Sequence, residues 1–225
     1  MLLFETVGSD MGEKQRNKMH LYFRYVIISL VISIAFFAGI FYFNLNDLMS
    51  SEGEQVVYSN EYYTLKGKPT ELQKELFKDL TAQLEQNLEY DMDAIELVVK
   101  SFVADYYTWS NKQGPYDIGG GDFIFSKENL NFKQTARRYF YSNMENFLSQ
   151  GLVMTDLIEV DAITTNDASF STTFDHYGDE YISFYVEASW TYKANEKVDP
   201  QQFPNWAAFT VIQNEDGRFE IVRFY

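Results

Sequence analysis

The feature that most constrains this chain is an uncharged apolar stretch near its start, YVIISLVISIAFFAGIFYF, from Tyr25 to Phe43. It holds 19 residues, and a helix of that length reaches about 28 Å, close to the hydrocarbon thickness of a bilayer. A buried core helix would carry polar residues on part of its circumference. A cleaved signal peptide has a shorter apolar region that ends at a small-residue site, whereas this stretch ends in bulky residues, Ile40–Phe43. The pattern therefore predicts a single transmembrane helix over 25–43.

The charges that flank this stretch predict its orientation, because Lys and Arg collect on the cytoplasmic side of a span. Basic residues come just before the stretch, acidic residues come first after it, and no Lys or Arg follows until Lys66. Residues 1–24 are therefore predicted to be a cytoplasmic tail, 44–68 a linker, and 69–225 an extracytoplasmic domain. The basic residues are Lys14, Arg16, Lys18 and Arg24, and the first acidic ones are Asp47, Glu52 and Glu54.

Composition limits what the part after the span can do. It holds 30 Asp and Glu against 14 Lys and Arg, a net charge of about −16. Such a surface repels phosphate backbones, so direct nucleic-acid binding is not expected. The chain has no cysteine, which excludes disulfides, thiol nucleophiles and thiolate metal sites.

Three helices are predicted after residue 68 from capping signals and apolar stripes of period 3.6. The predicted caps are Thr70 with Gln73, Asp93 with Glu96, and Asn131 with Gln134. The predicted buried faces are Leu72, Leu76, Phe77, Leu80, Leu84 and Leu88 in the first helix, Ile95, Val98, Val99, Phe102, Val103, Tyr106 and Tyr107 in the second, and Ala136, Tyr139, Phe140, Phe147 and Leu148 in the third. Between the second and third helices, Gly119–Gly121 predicts a flexible turn and 122–125 a short strand.

After Gly151 the apolar period changes from 3.6 to 2, which predicts strands. The clearest one, 180–193, should have one inward and one mainly solvent-facing side. The predicted inward side is Ile182, Phe184, Val186, Ala188, Trp190 and Tyr192, and the predicted solvent side is Ser183, Glu187, Ser189 and Thr191. Short polar links favour antiparallel hairpins. Helices followed by strands indicate an α+β fold, with about three helices packed on a curved, mostly antiparallel sheet. The predicted strands cover 152–164, 168–176, 180–193, 206–213 and 218–224, with turns at 165–167, 177–179 and 214–217.

The order of elements resembles a known layout. The second helix, AIELVVKSFVADYYTW, the final AFTVIQNEDGRFEIVRFY, and the tail, span and linker before them are similar to the bitopic assembly factor of bacterial type IV secretion and conjugation machines (the VirB-eight/DotI/TcpC-like family). That family's Asn-Pro-x-Gly turn is missing here, and Asp199-Pro200 lacks the glycine. The resemblance implies a cone-like, nuclear-transport-factor-two-like outer domain. It also implies a non-enzymatic protein in the bacterial cytoplasmic membrane that contacts copies of itself and other channel subunits.

Candidate catalytic and metal-binding residues are few. Asp175-His176 is the only such pair after the span, and neighbouring strand residues point to opposite faces, which argues against a joint role. A metal site needs several converging ligands, and the part of the chain after the span has only one histidine. Asp91, Asp93 and Glu96 match no calcium loop and suit a helix start. We therefore predict no catalytic residue, metal or cofactor.

Aromatic residues make up 18% of the chain, so they supply the site predictions. A pocket inside the domain is predicted from aromatic residues and the one outer histidine. Tyrosines on polar faces are typical of protein interfaces, although exposed strands also favour tyrosine. The predicted pocket residues are Tyr106, Trp109, His176, Trp190 and Trp206, and the predicted interface residues are Tyr62, Tyr63, Tyr141, Tyr181 and Tyr185.

The leading hypothesis from sequence is a structural subunit of an envelope-spanning secretion or conjugation complex, held in the membrane and acting through oligomerisation and protein contacts. A membrane-tethered binding module, such as an immunity protein, an envelope sensor or a small-ligand carrier, is the alternative. A hydrolase or isomerase that uses His176 in the pocket is the third hypothesis.

Overall fold

The computed structural model describes residues 58–86 and 88–225, together with Tyr25, Ile27, Ser29, Leu30 and Ser33. The chain divides into two compact units, Met1–Glu54 and Gln55–Tyr225. In the first unit the five described residues are helical, and the Ser33 hydroxyl donates to the Ser29 carbonyl at 2.9 Å. The rest of the predicted tail and span, and the linker before residue 58, lie outside the described residues. Among the residues described, no helix combines the length and apolarity that a membrane crossing requires.

The second unit is an α+β domain, which confirms the predicted fold class and three helical segments on an antiparallel sheet. Its helices are α1 (Glu71–Leu84), α2 (Met92–Tyr106), α3 (Asn129–Ala136) and α4 (Ser142–Ser149); a π turn (Arg137–Tyr141) joins α3 to α4 in one continuous helical segment. The strands are β1 (Tyr58–Ser59), β2 (Thr64–Leu65), β3 (Val160–Thr165), β4 (Ser169–Phe170), β5 (Phe174–His176), β6 (Asp179–Tyr181), β7 (Ser183–Tyr192), β8 (Trp206–Gln213) and β9 (Phe219–Phe224).

The first two helices form largely as their sequences predict. Thr70 and Gln73 make the predicted capping box at the start of α1. The cap of α2 is Asp91, whose carboxylate accepts from the Ala94 N–H at 3.0 Å, so the predicted cap at Asp93 is wrong by two residues. Helix α1 ends at Leu84, which leaves Leu88 exposed. The predicted apolar face of α2 is buried along its whole length.

The third helical segment differs from prediction because of the π turn. A π turn adds one residue to the helical repeat and rotates the following face. After Ala136, the fully buried positions are therefore Tyr141 and Met144, while the predicted Tyr139 is 70% exposed. The predicted cap at Asn131 is also wrong, because α3 begins at Asn129 after a short 3-10 turn, Ser126–Glu128, without a side-chain cap.

The main sheet runs in the order β3-β7-β8-β9, and all its strand pairs are antiparallel. Strands β3 and β4 pair with successive parts of the same edge of β7. The predicted hairpin at 165–167 is therefore wrong, because the link there joins two pieces of one edge. Phe184, Val186, Ala188 and Trp190 face the core as predicted. The prediction is wrong for Ile182, which is 42% exposed because it lies in the break between β6 and β7, and for Ser183, which is buried with its hydroxyl donating to the Thr172 carbonyl.

Two small hairpins stand outside the main sheet. Strands β1 and β2 form one, inside the segment predicted to be linker. Strands β5 and β6 form the other through a tight turn at Tyr177-Gly178, where both residues have positive φ, as a primed turn requires. The predicted turn at 214–217 does join β8 to β9.

The glycine run at 119–121 is closely packed rather than a flexible turn. A Cβ on Gly119 would lie 2.2 Å from the Asp105 carbonyl oxygen, and Gly120, at φ 75°, presses against the Phe102 ring. The predicted strand at 122–125 forms only one isolated bridge, from Ile124 to Ile221. Its first residues belong instead to a 3-10 turn, Gly121–Phe123, and the predicted strand at 152–164 forms only from Val160.

Candidate functional site: a groove between a helix and an edge strand

A groove of about 590 Å³ lies where α3, β9 and the β5–β6 hairpin meet. One wall is the helical segment from Glu128 to Tyr139, and the opposite wall is β5. The outer part of β9 forms the floor together with Tyr106 of α2. Three elements that are distant in sequence therefore build one concave surface.

The floor of the groove rests on a dense aromatic cluster. The Phe224 ring lies 5.1 Å from Phe102 and 5.6 Å from Tyr106, measured between ring centroids. Phe132, which lines the helical wall, lies 5.6 Å from Tyr106. Phe102 is fully buried and Tyr106 nearly so, and burial raises the pKa of the Tyr106 hydroxyl far above its ordinary value. This packing holds the floor rigid.

Strand β9 is an edge strand of the main sheet as far as the structure is described. Tyr225, just past its end, exchanges both backbone hydrogen bonds with Ala208 of β8, at 3.2 and 3.0 Å. Backbone groups alternate in direction along an antiparallel strand, so Phe224 points its N–H and C=O away from β8. On the same outer edge, the Ile221 carbonyl accepts from the Phe125 N–H at 3.0 Å. The edge is thus covered at Ile221, while no strand among residues 58–86 and 88–225 lies beside it at Phe224.

The helical wall presents one regular face to the groove. Its lining residues recur three or four positions apart, the spacing of one side of a helix. Ala136 and Phe132 supply the apolar centre of this face, while Asn131 and Thr135 are exposed and polar.

The β5–β6 hairpin is held against the helical segment by charges and rings. The Lys127 ammonium donates to Asp179 at 2.7 Å and to the Tyr181 hydroxyl at 2.9 Å. The hydrogen bond from Lys127 lowers the pKa of Asp179 below the ordinary carboxyl range. The Phe125 ring meets His176 edge-on at 5.1 Å, which anchors β5 from below. These contacts fix the hairpin as the second wall.

The charges that line the groove are mainly acidic. Glu128 and Asp175 line the groove together with Arg223, and the Arg223 guanidinium lies 5.4 Å from the Phe174 ring centre. His176 Nδ1 is 3.9 Å from Glu128 Oε1, too far for a hydrogen bond. Asp175 forms no ion pair with any residue that the structure describes. The groove can therefore attract a basic group.

Two of the five predicted pocket residues, Tyr106 and His176, line this groove together. Trp109 is fully buried in the core, and Trp190 packs on Tyr107 at 4.3 Å, so neither reaches the groove. Trp206 is the first residue of β8 and is 49% exposed. Its pairing with Ser189 is the last in the β7–β8 ladder. Trp206 does not line this groove, and its place in a pocket stays a prediction.

The predicted interface tyrosines are mostly inside the domain. Tyr63, Tyr141 and Tyr181 are buried, so the expectation of exposure is wrong for these three. Each hydroxyl meets a partner within the fold, as buried tyrosines require. Tyr62 and Tyr185 are half-buried, and the hydrogen bond from the Tyr185 hydroxyl to Glu187, at 2.6 Å, raises the pKa of Tyr185 to about 12.

The polar residues Glu128, Asn131, Thr135 and Arg223 of the groove were missed by the sequence prediction. Their i, i+3, i+7 spacing along 128–135 was a usable signal for a shared helix face. Nothing in the sequence indicates that this face lies beside β9 rather than in solvent. Asp175 and His176 both line the groove, although alternation along a strand predicts opposite faces.

A second polar cluster lies beneath the β1–β2 hairpin. The Tyr63 hydroxyl donates to the Phe219 carbonyl at 2.6 Å, and Arg218 lies over the Tyr63 ring at 4.9 Å. Glu220 is 1% exposed, its carboxylate 3.8 Å from Arg218 Nε, and burial raises the pKa of Glu220. Arg218, Asn214 and Ser126 oppose that rise, although none of the described residues forms a hydrogen bond of good geometry with the Glu220 carboxylate.

No group of three His, Asp or Glu side chains among the described residues is arranged to hold a metal ion. Comparisons with protein-family models, with curated proteins and with solved structures give no match to this chain.

Proposed function

We propose that this chain is a non-enzymatic subunit of a bacterial envelope-spanning secretion or conjugation complex. On this proposal it is anchored in the cytoplasmic membrane with its N-terminus in the cytoplasm and its C-terminal domain outside. It acts by oligomerisation and by contacts with other channel subunits. The observation that carries the proposal is the uncharged stretch Tyr25–Phe43, joined to an acidic domain with an open strand edge.

The anchor is supported by the sequence and by the few residues described there. Tyr25, Ile27 and Leu30 are helical with large apolar side chains exposed. Exposed apolar side chains on a helix are stabilised by transfer into lipid. The positive residues before the stretch favour the proposed orientation.

A contact role is supported by the chemistry of the groove. His176 is the only histidine of the domain, and no carboxylate among the described residues lies within hydrogen-bond length of it, since Glu128 is 3.9 Å away. The groove's backbone edge and apolar floor are features that recognise another polypeptide.

The alternative is a membrane-tethered binding module, such as an immunity protein, an envelope sensor or a small-ligand carrier. The groove volume of about 590 Å³ favours it, because that volume lies in the range of small-molecule sites. Genetic neighbourhood separates the two, since secretion ATPases beside the gene support the first and a toxin gene supports the second.

The proposal is tested by extracting the full chain from native membranes with mild detergent. Size-exclusion chromatography gives its assembly state, and mass spectrometry identifies the proteins that remain bound. We expect a large complex that contains membrane ATPase and channel proteins. A monomer with no retained partner contradicts the proposal. Protease added to intact spheroplasts checks the orientation, because it should digest the domain and spare the tail.

A further inference from the structure

We propose that the groove binds an extended, lysine- or arginine-containing segment of a partner polypeptide, which adds as a strand to the free edge of β9. This inference deepens the proposed function, because it names the kind of contact by which the domain holds another subunit. It rests on three observations: the direction of the β9 backbone groups, the shape of the groove, and its charge.

The backbone of Phe224 supplies the first pairing groups. Its N–H and C=O point away from β8, because Tyr225 on one side and Arg223 on the other pair with β8. Phe224 also lines the groove, so these groups lie at its floor. An unpaired strand edge is a template for pairing with another extended chain. Toward Ile221 the edge is already used by Phe125, which sets the end of the site.

The shape of the groove fits an extended chain better than a compact ligand. The groove has the helical wall on one side, β5 on the other and Phe224 in its floor, so alternate side chains of a peptide paired with Phe224 would face the helix. The helical wall from Glu128 to Tyr139 measures about 16 Å along its axis. About five residues of an extended peptide span that length. Phe132 and Phe174, which are both half-buried, offer apolar contacts along it.

Charge selects the composition of the peptide. Glu128 and Asp175 line the groove, and its one fixed cation, Arg223, lies over the Phe174 ring. The three basic side chains of the helical wall, Lys133, Arg137 and Arg138, line a separate depression beside Tyr116. Residues 55–225 hold 27 acidic and 14 basic side chains, so the field around the groove also favours a basic partner.

The test uses the full chain purified in detergent micelles and a phage-displayed library of random twelve-residue peptides. Enriched peptides are synthesised with a fluorescent label, and their Kd is measured by anisotropy. We expect them to alternate apolar residues with Lys or Arg. Two N-methylated forms of each peptide are compared, one methylated at its odd positions and one at its even positions. One form should bind about tenfold or more weakly and the other nearly as well as the unmodified peptide, because only one of the two sets of N–H groups faces β9.

Variants locate the binding site. Thr135→Trp fills the groove from an exposed position on α3 and should abolish peptide binding, whereas the matched Asp79→Trp on α1 should leave the Kd unchanged. The double variant Glu128→Gln and Asp175→Asn should weaken binding about two- to fivefold at low salt, and the difference should shrink as salt rises.

Three results would overturn the inference. One is that selection on the unaltered chain enriches no peptide beyond those enriched by selection on the Thr135→Trp variant. A second is that N-methylation at odd and at even positions has the same effect, which would mean that the groove recognises only the peptide's side chains and not its backbone. The third is that Thr135→Trp converts an oligomer to a monomer while no peptide binds, which would make a second copy the occupant. Peptide binding by purified chain does not depend on the membrane complex, so the inference and the proposed function fail separately.

Discussion

The two small hairpins of the domain have the same construction and opposite roles. Both are short antiparallel ribbons outside the main sheet. The β1–β2 hairpin buries Tyr63 to 1% exposure and Leu65 to 5%, and its Thr64 N–H donates to Asp122 at 2.7 Å. The β5–β6 hairpin leaves its tip residue, Tyr177, 94% exposed. One ribbon is part of the core, and the other is a peripheral wall of the groove.

This difference follows from what each ribbon contacts. The β1–β2 hairpin rests on α1, where Asn60 donates to the Thr81 hydroxyl at 2.9 Å, and on the start of β9, where the Tyr63 hydroxyl donates to the Phe219 carbonyl. The β5–β6 hairpin is held mainly by Lys127 and by rings at its base. Buried apolar contacts resist opening far more than exposed ion pairs do. The first hairpin therefore fixes where the chain enters the domain, and the second can adjust to a ligand.

The largest expected effect tests this contrast with one substitution type on each hairpin. Tyr63→Ala should lower the free energy of unfolding by about 3–5 kcal/mol, because it leaves a cavity and an unpaired Phe219 carbonyl. Tyr177→Ala should change it by less than about 0.5 kcal/mol. Urea unfolding, followed by the fluorescence of the domain's tryptophans, measures both. Equal effects would show that the hairpins are equally integral to the core.

A smaller and opposite effect is expected at Glu220, beneath the first hairpin. Glu220→Gln should raise the free energy of unfolding at pH 7, because burial disfavours the ionised carboxylate more than Arg218 and its other neighbours stabilise it. The exposed Glu215→Gln in the neighbouring turn is the matched control and should have little effect. Destabilisation by Glu220→Gln would show that the Arg218 attraction outweighs the cost of burial.

Acid should act on the two hairpins in opposite directions. The pKa of Glu220 is raised in the folded state, so ionisation of this carboxyl lowers the free energy of unfolding at neutral pH. This loss disappears as the pH falls through the raised value to below the ordinary carboxyl pKa. The pKa of Asp179 is lowered by Lys127, so its contribution is present above the ordinary carboxyl range and is lost as the pH falls through the lowered value.

Amide hydrogen exchange, corrected for the intrinsic pH dependence, measures this contrast. From neutral to acid pH, protection should rise in 58–65 and fall in 174–181. Glu220→Gln should remove the first change and leave the second. Parallel changes in both hairpins would contradict the assignment of these two carboxylates.

The smallest expected effect is at Lys127. Lys127→Ala should speed amide exchange in the β5–β6 hairpin without a measurable change in the unfolding midpoint, because its partner Asp179 is exposed. Lys78→Ala, at an exposed position of α1, is the control and should alter neither quantity. Loss of global stability in Lys127→Ala would mean that the second hairpin belongs to the core.

Local patterns predicted the elements that depend on near neighbours in sequence. The apolar face of α2, the capping box at Thr70 and the bounds of β8 follow from periodicity and side-chain chemistry. The turn at Tyr177-Gly178 follows from glycine's tolerance of positive φ. In these places the local preference and the packing agree.

The errors arise where distant contacts decide. The π turn at 137–141 shifts the buried face by one residue, so Tyr141 replaces Phe140 as the fully buried position and hydrogen-bonds Tyr106 and Gly119. The β1–β2 hairpin contains too few residues for a periodic signal, and its burial depends on β9. The groove could not be predicted, because it requires α3, β5 and β9 to meet.

The central claim is that this domain holds a partner polypeptide at the membrane through the α3–β9 groove. Its most direct test is a photocrosslinking amino acid placed at position 135 in the groove, or at the control position 79 on α1, in living cells. We predict a crosslink at 135 to an extended segment of a different envelope protein and none at 79. No crosslink at 135, or the same products at both positions, would contradict the claim.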